Sequence, residues 1–216
     1  MFDVVSKWGR AHVRLPVPGG HMVPNALAAA AVGLVAGVSL RDAAAALEAA
    51  SMSAGRMEVF ETGGGVRVID DAYNANPASM AAALKALRWM AGDGRCVAVL
   101  GHMAELGSIS VEEHERVGEL LARLGVDELV TVGDQARMIA VGAEREGVEP
   151  ERIHRCADVD QAVAVVKAIV RPGDLVLVKA SRVARLERVA EALRREGVAP
   201  DPEARPAGAG AAGAAA

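Results

Sequence analysis

Three short runs, Val97 to Leu100, Leu129 to Val132 and Leu175 to Val178, restrict what this chain can fold into more than anything else in it. Each is an apolar stretch without polar alternation, the pattern of a strand covered on both faces. Amphipathic segments separate them. Ser110 with Glu113 predicts a cap for a helix whose face is Val117, Leu120, Leu121 and Leu124. Asp158 with Gln161 predicts another, showing Ala162, Val165, Val166 and Ile169. Strands separated by single helices imply right-handed crossovers, so the expected fold is α/β with a Rossmann-like, mainly parallel, doubly wound sheet. Met57 to Glu61 and Val66 to Ile69, across Gly63, Gly64 and Gly65, read as a hairpin that opens this domain.

The first fifty residues follow a different pattern. They hold one strand-like segment, Val13 to Val17, then Pro24 in a first helical turn and Leu27, Ala31 and Leu34 at helical spacing, ended by Gly37. Ser39 with Asp42 predicts the cap of a second helix with Leu40, Ala43, Ala44 and Leu47 on one face. Two helices and a lone strand enclose no core, so this opening reads as the tail end of a larger domain. Beyond Gly197, Val198 apart, only Ala, Gly, Pro and a few charges remain, the composition of a disordered tail. The expected division is therefore 1–54, 55–197 and 198–216.

Composition removes several function classes. A net charge of −4 with both signs mixed along 216 residues offers no basic face for nucleic acid and no polybasic stretch for a membrane surface. Ala26 to Val38 is apolar but broken by Gly33 and Gly37, and it falls short of the roughly 20 residues a bilayer span needs. Cys96 and Cys156 lack CxxC spacing, which makes a reducing cytoplasm the simplest home. His12, His114 and His154 stand alone, with no carboxylate or cysteine at ligand spacing, so a metal site built by this chain is not expected.

In a doubly wound sheet, ligands gather where the strands end. After Ile69 comes Asp70-Asp71-Ala72-Tyr73-Asn74-Ala75-Asn76-Pro77. Leu100 is followed by Gly101 to Gly107, with His102 and Glu105, Val132 by Gly133-Asp134, and Val178 by Lys179-Ala180-Ser181-Arg182. Asn76 and Pro77 suit a helix cap and first turn, but Asp70, Asp71, Tyr73 and Asn74 exceed what a turn requires. His102 and Glu105 read as loop residues facing water. Lys179, Ser181 and Arg182 combine a point charge, a hydroxyl and a planar fork, which suits a carboxylate or phosphate. Arg185, Arg188 and Arg195, interleaved with Glu187 and Glu191, read as a solvated helix face. No lysine stands between a glycine and Ser or Thr, so the chain carries no GxxxxGK[ST] phosphate loop, and no GxGxxG follows a strand.

Five blocks together carry a resemblance. They are Gly20-His21-x-x-x-Asn25-Ala26-Leu27-Ala28-Ala29, Gly55-Arg56-Met57, Asp71-x-Tyr73-Asn74-Ala75-Asn76-Pro77-x-Ser79, Leu100-Gly101-x-Met103-x-Glu105-Leu106-Gly107 and Val178-Lys179-x-Ser181-Arg182. From about residue 10 to 196 the chain resembles the Mur ligases. The YNANP and LGxMxELG blocks point to the branch that joins D-Ala-D-Ala to UDP-N-acetylmuramoyl-tripeptide in making the peptidoglycan precursor. His102 departs from the family, which most often has an acidic residue there.

The resemblance implies a three-domain enzyme, of which this chain would hold the end of the central ATPase domain (1–54) and the whole C-terminal Rossmann-like domain (55–197). It implies ATP and Mg²⁺ as cofactors, with the magnesium ligands and the phosphate loop lying before residue 1. It also implies a peptide acyl phosphate attacked by the amine of D-Ala-D-Ala. By motif, His21 and Asn25 would lie against adenine, Arg56 would reach the γ-phosphate and act in catalysis, and Asp71 would hold the ribose hydroxyls. Tyr73, Asn74 and Asn76 would line the same cleft, and Lys179, Ser181 and Arg182 would meet the incoming dipeptide. The isolated chain is expected to lack ligase activity. The competing readings are a non-catalytic Rossmann-like module that binds a dipeptide or nucleotide, and half of a split ligase paired with a separately encoded front half.

Overall fold

The computed structural model describes residues 1–16, 20, 22–50 and 53–196. The chain opens with an antiparallel hairpin, β1 (Phe2–Ser6) and β2 (Gly9–Val13), in which Phe2 pairs with Val13 and Ser6 with Gly9. Gly9 has φ +121, a conformation that only glycine adopts readily, so Lys7 and Trp8 suffice to turn the chain. Here the expected lone strand at 13–17 is corrected. Val13 is the last residue of β2, Arg14 instead donates its N–H to the Glu48 carboxylate at 3.0 Å, and Val17 lies outside the described residues. The reason is the pattern of residues 2–13, where Val4 and Val13 are buried while Asp3, Val5, Arg10 and His12 are exposed. That alternation marks a half-solvated hairpin rather than a run covered twice.

Two helices follow, α1 (Met22–Val35) and α2 (Leu40–Glu48). Ser39 caps α2 as its sequence suggests, accepting from Asp42 N and donating to the Asp42 carboxylate. Little of this module is buried: Val32 is 71% and Val35 80% exposed.

From Glu58 onward a six-stranded sheet forms. Its strands and helices alternate as β3 (Glu58–Glu61), β4 (Arg67–Asp71), α3 (Pro77–Ala91), β5 (Cys96–Gly101), α4 (Ser110–Arg123), β6 (Glu128–Val132), α5 (Arg137–Arg145), β7 (Ile153–Cys156), α6 (Val159–Ile169), β8 (Leu175–Lys179) and α7 (Glu187–Glu196). The spatial order is β3-β4-β8-β5-β6-β7, and β3 pairs antiparallel while the other neighbours pair parallel. Strand alternation sorts the core by residue type. Ile69, Ala98, Leu100, Leu129, Leu175 and Leu177 face α3, α4 and α5. Val68, Val97, Val99, Val130, Val176 and Val178 face α6 and α7. The three founding runs are thus strands with both faces covered.

In this sheet domain, local signals hold at two helix starts, as at Ser39 before it, and fail at one. Asn76 and Ser79 form a reciprocal capping box ahead of Pro77, and Asp158 accepts from Gln161 N at 2.8 Å. Ser110, however, is not a cap. A 3-10 turn at Gly107–Ile109 runs directly into α4, which leaves Ser110 already helical, and Glu113 binds Arg116 at 2.5 Å instead. α4 and α5 pack through two glycines. A Cβ on Gly118 would stand 1.9 Å from Ile139 O, and one on Gly142 would stand 2.0 Å from Glu115 O. No helix among the described residues is long and apolar enough to cross a membrane.

Candidate functional site

After β4 the chain passes through α3 to β5 and leaves one place in the sheet open, which β8 fills last. The loops after β4 and β5 lead to helices on one face, while the turn after β8 leads to α7 on the other. Such a reversal opens a crevice at the carboxyl ends of the strands. Three of the four polar clusters interlock there. Lys179 Nζ donates to Asp71 Oδ2 at 2.5 Å and to Asn74 O at 2.9 Å. Ser181 Oγ accepts from Ala104 N at 2.8 Å and donates to Ala75 O at 3.3 Å, while Ser181 N donates to His102 O at 3.0 Å. The fourth cluster, at Asp134, lies across a second cleft shared with the loop from Met103 to Gly107.

This interlocking decides which side chains are free. Lys179 is 2% exposed, and Asp71 has its other oxygen engaged by Met57 N at 3.0 Å. The cation expected at a dipeptide carboxylate and the anion expected at a ribose are therefore committed first to each other. Asp70 belongs to the opposite face of β4, where its Oδ1 accepts from Ala72 N at 3.1 Å, and burial pushes its carboxyl pKa up. Asn76 is spent on its cap, and Asn74 accepts from Ala75 N at 2.9 Å. Asn25 is exposed on α1, with its amide 3.8 Å from Met22 Sδ and no hydrogen bond to the rim; His21 lies outside the described residues.

Arg56 and Arg182 converge on one ring. Their guanidinium carbons lie 3.9 and 5.2 Å from the centroid of Tyr73, itself 40% exposed. Tyr73 is anchored through its N–H to Gly55 O at 3.0 Å. Gly55, at φ +70, passes so close that a Cβ would meet Tyr73 N at 3.4 Å. Neither arginine has a carboxylate partner among the described residues, whereas neighbouring Arg194 binds Glu58 at 2.6 Å. Tyr73 and Arg182 line a cleft of about 310 Å³ with Gly55, Asp70, Glu187 and Arg194.

One residue that shapes the rim escaped sequence reasoning. His114, 1% exposed on α4, accepts from Met103 N through Nε2 at 2.9 Å, and its Nδ1 lies 2.6 Å from Ser110 O. Acceptance at Nε2 fixes the proton on Nδ1, where it is donated to that carbonyl. The imidazole thus ties the loop after β5 to the first turn of α4. The available signal was its spacing, four residues after Ser110 on one helix. Burial lowers the pKa of nearby His102.

This domain has known counterparts. The family model for the Mur ligase, glutamate ligase domain matches residues 55–182. The chain belongs to the Mur ligase family. The UDP-N-acetylmuramoyl-tripeptide–D-alanyl-D-alanine ligase of Mycobacterium tuberculosis is 50% identical over 202 residues, covering 85% of this chain and 40% of that protein. MurF from Acinetobacter baumannii superposes with a TM-score of 0.79 at 34% identity, over 89% of this chain and 42% of that one. MurF from Thermotoga maritima, solved in complex with ADP, gives 0.72 at 30% identity, over 87% and 41%. The chain therefore spans about 40% of the length of the curated relatives it matches.

Proposed function

We propose that this Mur ligase chain supplies the carboxyl-terminal part of a cytoplasmic ATP-dependent ligase that joins UDP-N-acetylmuramoyl-tripeptide to D-Ala-D-Ala. Residues 1–54 would be the end of its central domain and 55–197 its last domain. The observation that carries this reading is the convergence of Arg56, Asp71, Tyr73, Lys179, Ser181 and Arg182 on one strand-end rim. It is supported by half-identical relatives bearing that ligase name.

The residues present fit the phosphate end of a nucleotide, because the Arg56 guanidinium stands there with no carboxylate partner among the described residues. ATP, when bound, supplies the phosphoryl group that activates a carboxylate. Arg56 would neutralise charge on that group and Asp71 would accept from the ribose diol, with Tyr73, Asn74 and Asn76 along the cleft and His21 and Asn25 toward adenine. Lys179 would act chiefly by holding Asp71 and the Asn74 carbonyl, while Ser181 and Arg182 would meet the dipeptide side. No group of three acidic, His or Cys side chains suited to a metal occurs among the described residues, so Mg²⁺ would be held from elsewhere in the enzyme. Rate enhancement in such a reaction comes from positioning and from charge stabilisation.

The test is phosphate release with UDP-N-acetylmuramoyl-tripeptide and D-Ala-D-Ala. The isolated chain should give none. Fused behind the front part of the M. tuberculosis relative, it should give turnover that Arg56→Ala abolishes. Robust turnover by the chain alone, or none by the fusion, would overturn the proposal.

A further inference from the structure

The motif assignments send Arg56 and Arg182 to different ligands, one to a nucleotide phosphate and one to a dipeptide carboxylate. We propose instead that Arg56, Tyr73 and Arg182 form a single clamp for a phosphoryl dianion, with the Tyr73 ring holding the two guanidinium groups as a pair. The source of that phosphoryl group rests on the ligase reading; the clamp itself rests on the geometry.

Two cations gathered on one small ring repel each other, and among the described residues neither has a carboxylate at ion-pair distance, although Asp70 and Glu187 line the cleft beside Tyr73 and Arg182. Arg188 and Arg194, on the helix that follows, bind Asp160 and Glu58, whereas Arg56 and Arg182 have no ion-pair partner among the described residues and meet at the ring. The two come from opposite ends of the domain. Arg56 precedes β3 and Arg182 follows β8, so the β4–β8 pairing is what brings them together. An aromatic face attracts each guanidinium without consuming its N–H donors. Two forks with donors to spare match a tetrahedral group carrying two charges and several acceptor oxygens, whereas a carboxylate is satisfied by one fork. Gly55 completes the arrangement by letting the backbone that carries Arg56 come within hydrogen-bond reach of Tyr73.

The probe is inorganic pyrophosphate, titrated into the chain while the side-chain Nε–H signals of its arginines and the ring signals of Tyr73 are followed by NMR, which detects weak binding. Arg56 and Arg182 should shift along one isotherm. Arg56→Gln and Arg182→Gln should each weaken it about tenfold or more. Tyr73→Phe should preserve binding, and Tyr73→Leu should weaken it with an unchanged melting temperature. A response of Arg56 alone, a response of Arg182 to D-Ala-D-Ala but not to pyrophosphate, or no response would overturn the clamp. A parallel titration with adenosine separates the two claims. Adenosine shifts lost in Asp71→Asn would keep the nucleotide reading alive if the clamp failed, and pyrophosphate binding without an adenosine response would uphold the clamp while sinking that reading.

Discussion

Lys179 and Asp71 stand opposite each other in register on adjacent parallel strands, and the ammonium meets the carboxylate at 2.5 Å with 2% and 15% of the two side chains exposed. A buried pair of this kind is costly to break from one side, because the remaining charge has lost its partner but not its burial. Lys179→Met should therefore lower the unfolding free energy by about 3–5 kcal/mol in urea denaturation. Adding Asp71→Asn should return part of that loss, and a single variant as stable as the parent would contradict the account.

The α4–α5 crossing permits a second prediction. Alanine at position 118 would press its methyl group into Ile139 O, a backbone atom that cannot rotate away. Gly118→Ala should cost about 1–3 kcal/mol despite the better helix propensity of alanine. Gly125→Ala, at φ +65 with open space around it, should lose stability from backbone strain alone. Comparing thermal shifts for the two positions distinguishes crowding from strain if the helix packing is also followed by amide exchange.

His114 accepts the Met103 N–H in a buried setting, so its removal leaves a donor without a partner. His114→Leu should cost about 1–3 kcal/mol and accelerate hydrogen exchange at the Met103 amide far more than at strand β6. Uniform acceleration across the domain would indicate general loosening rather than release of this loop.

Asp70 supplies a pH dependence whose sign opposes ordinary acid denaturation. Burial raises its pKa in the folded state, so between the ordinary carboxylate range and that raised value the native protein binds more protons than the unfolded one. Its contribution therefore favours the fold as pH falls through the raised value and disfavours it near neutrality. Asp70→Asn, which keeps an oxygen for Ala72 N, should raise the urea midpoint at neutral pH. The gain should shrink as pH drops toward about 4. A gain independent of pH would point to packing instead.

What could be read from the chain depended on how local the cause was. The β5, β6 and β8 strands were legible because both faces of each are covered, and the Asn76 and Asp158 caps were legible because the bonds span only three residues. β7 was not. It is a four-residue edge strand in which Ile153 and Cys156 face inward while His154 and Arg155 remain accessible, so no apolar run announces it. Ser110 misled because the 3-10 turn before it moves the helix start upstream. At the rim, the residue types were legible but their allegiances were not. Whether Lys179 meets a ligand or Asp71, and whether Arg56 and Arg182 share Tyr73, is decided by the pairing of β4 with β8, which no stretch of sequence displays.

The late insertion of β8 also sets a schedule for synthesis. Lys179 and Asp71 are 108 residues apart, and the strand between β4 and β5 is the last of the sheet to be made. As the ribosome extends the chain at about 5–20 residues per second, β4 and β5 wait with unpaired edges facing a vacant slot. Asp71 waits with them, without its counter-charge. A nascent chain arrested before residue 175 has therefore the walls of the crevice but not the piece that joins them, and it presents two sticky edges to any chaperone or neighbouring chain.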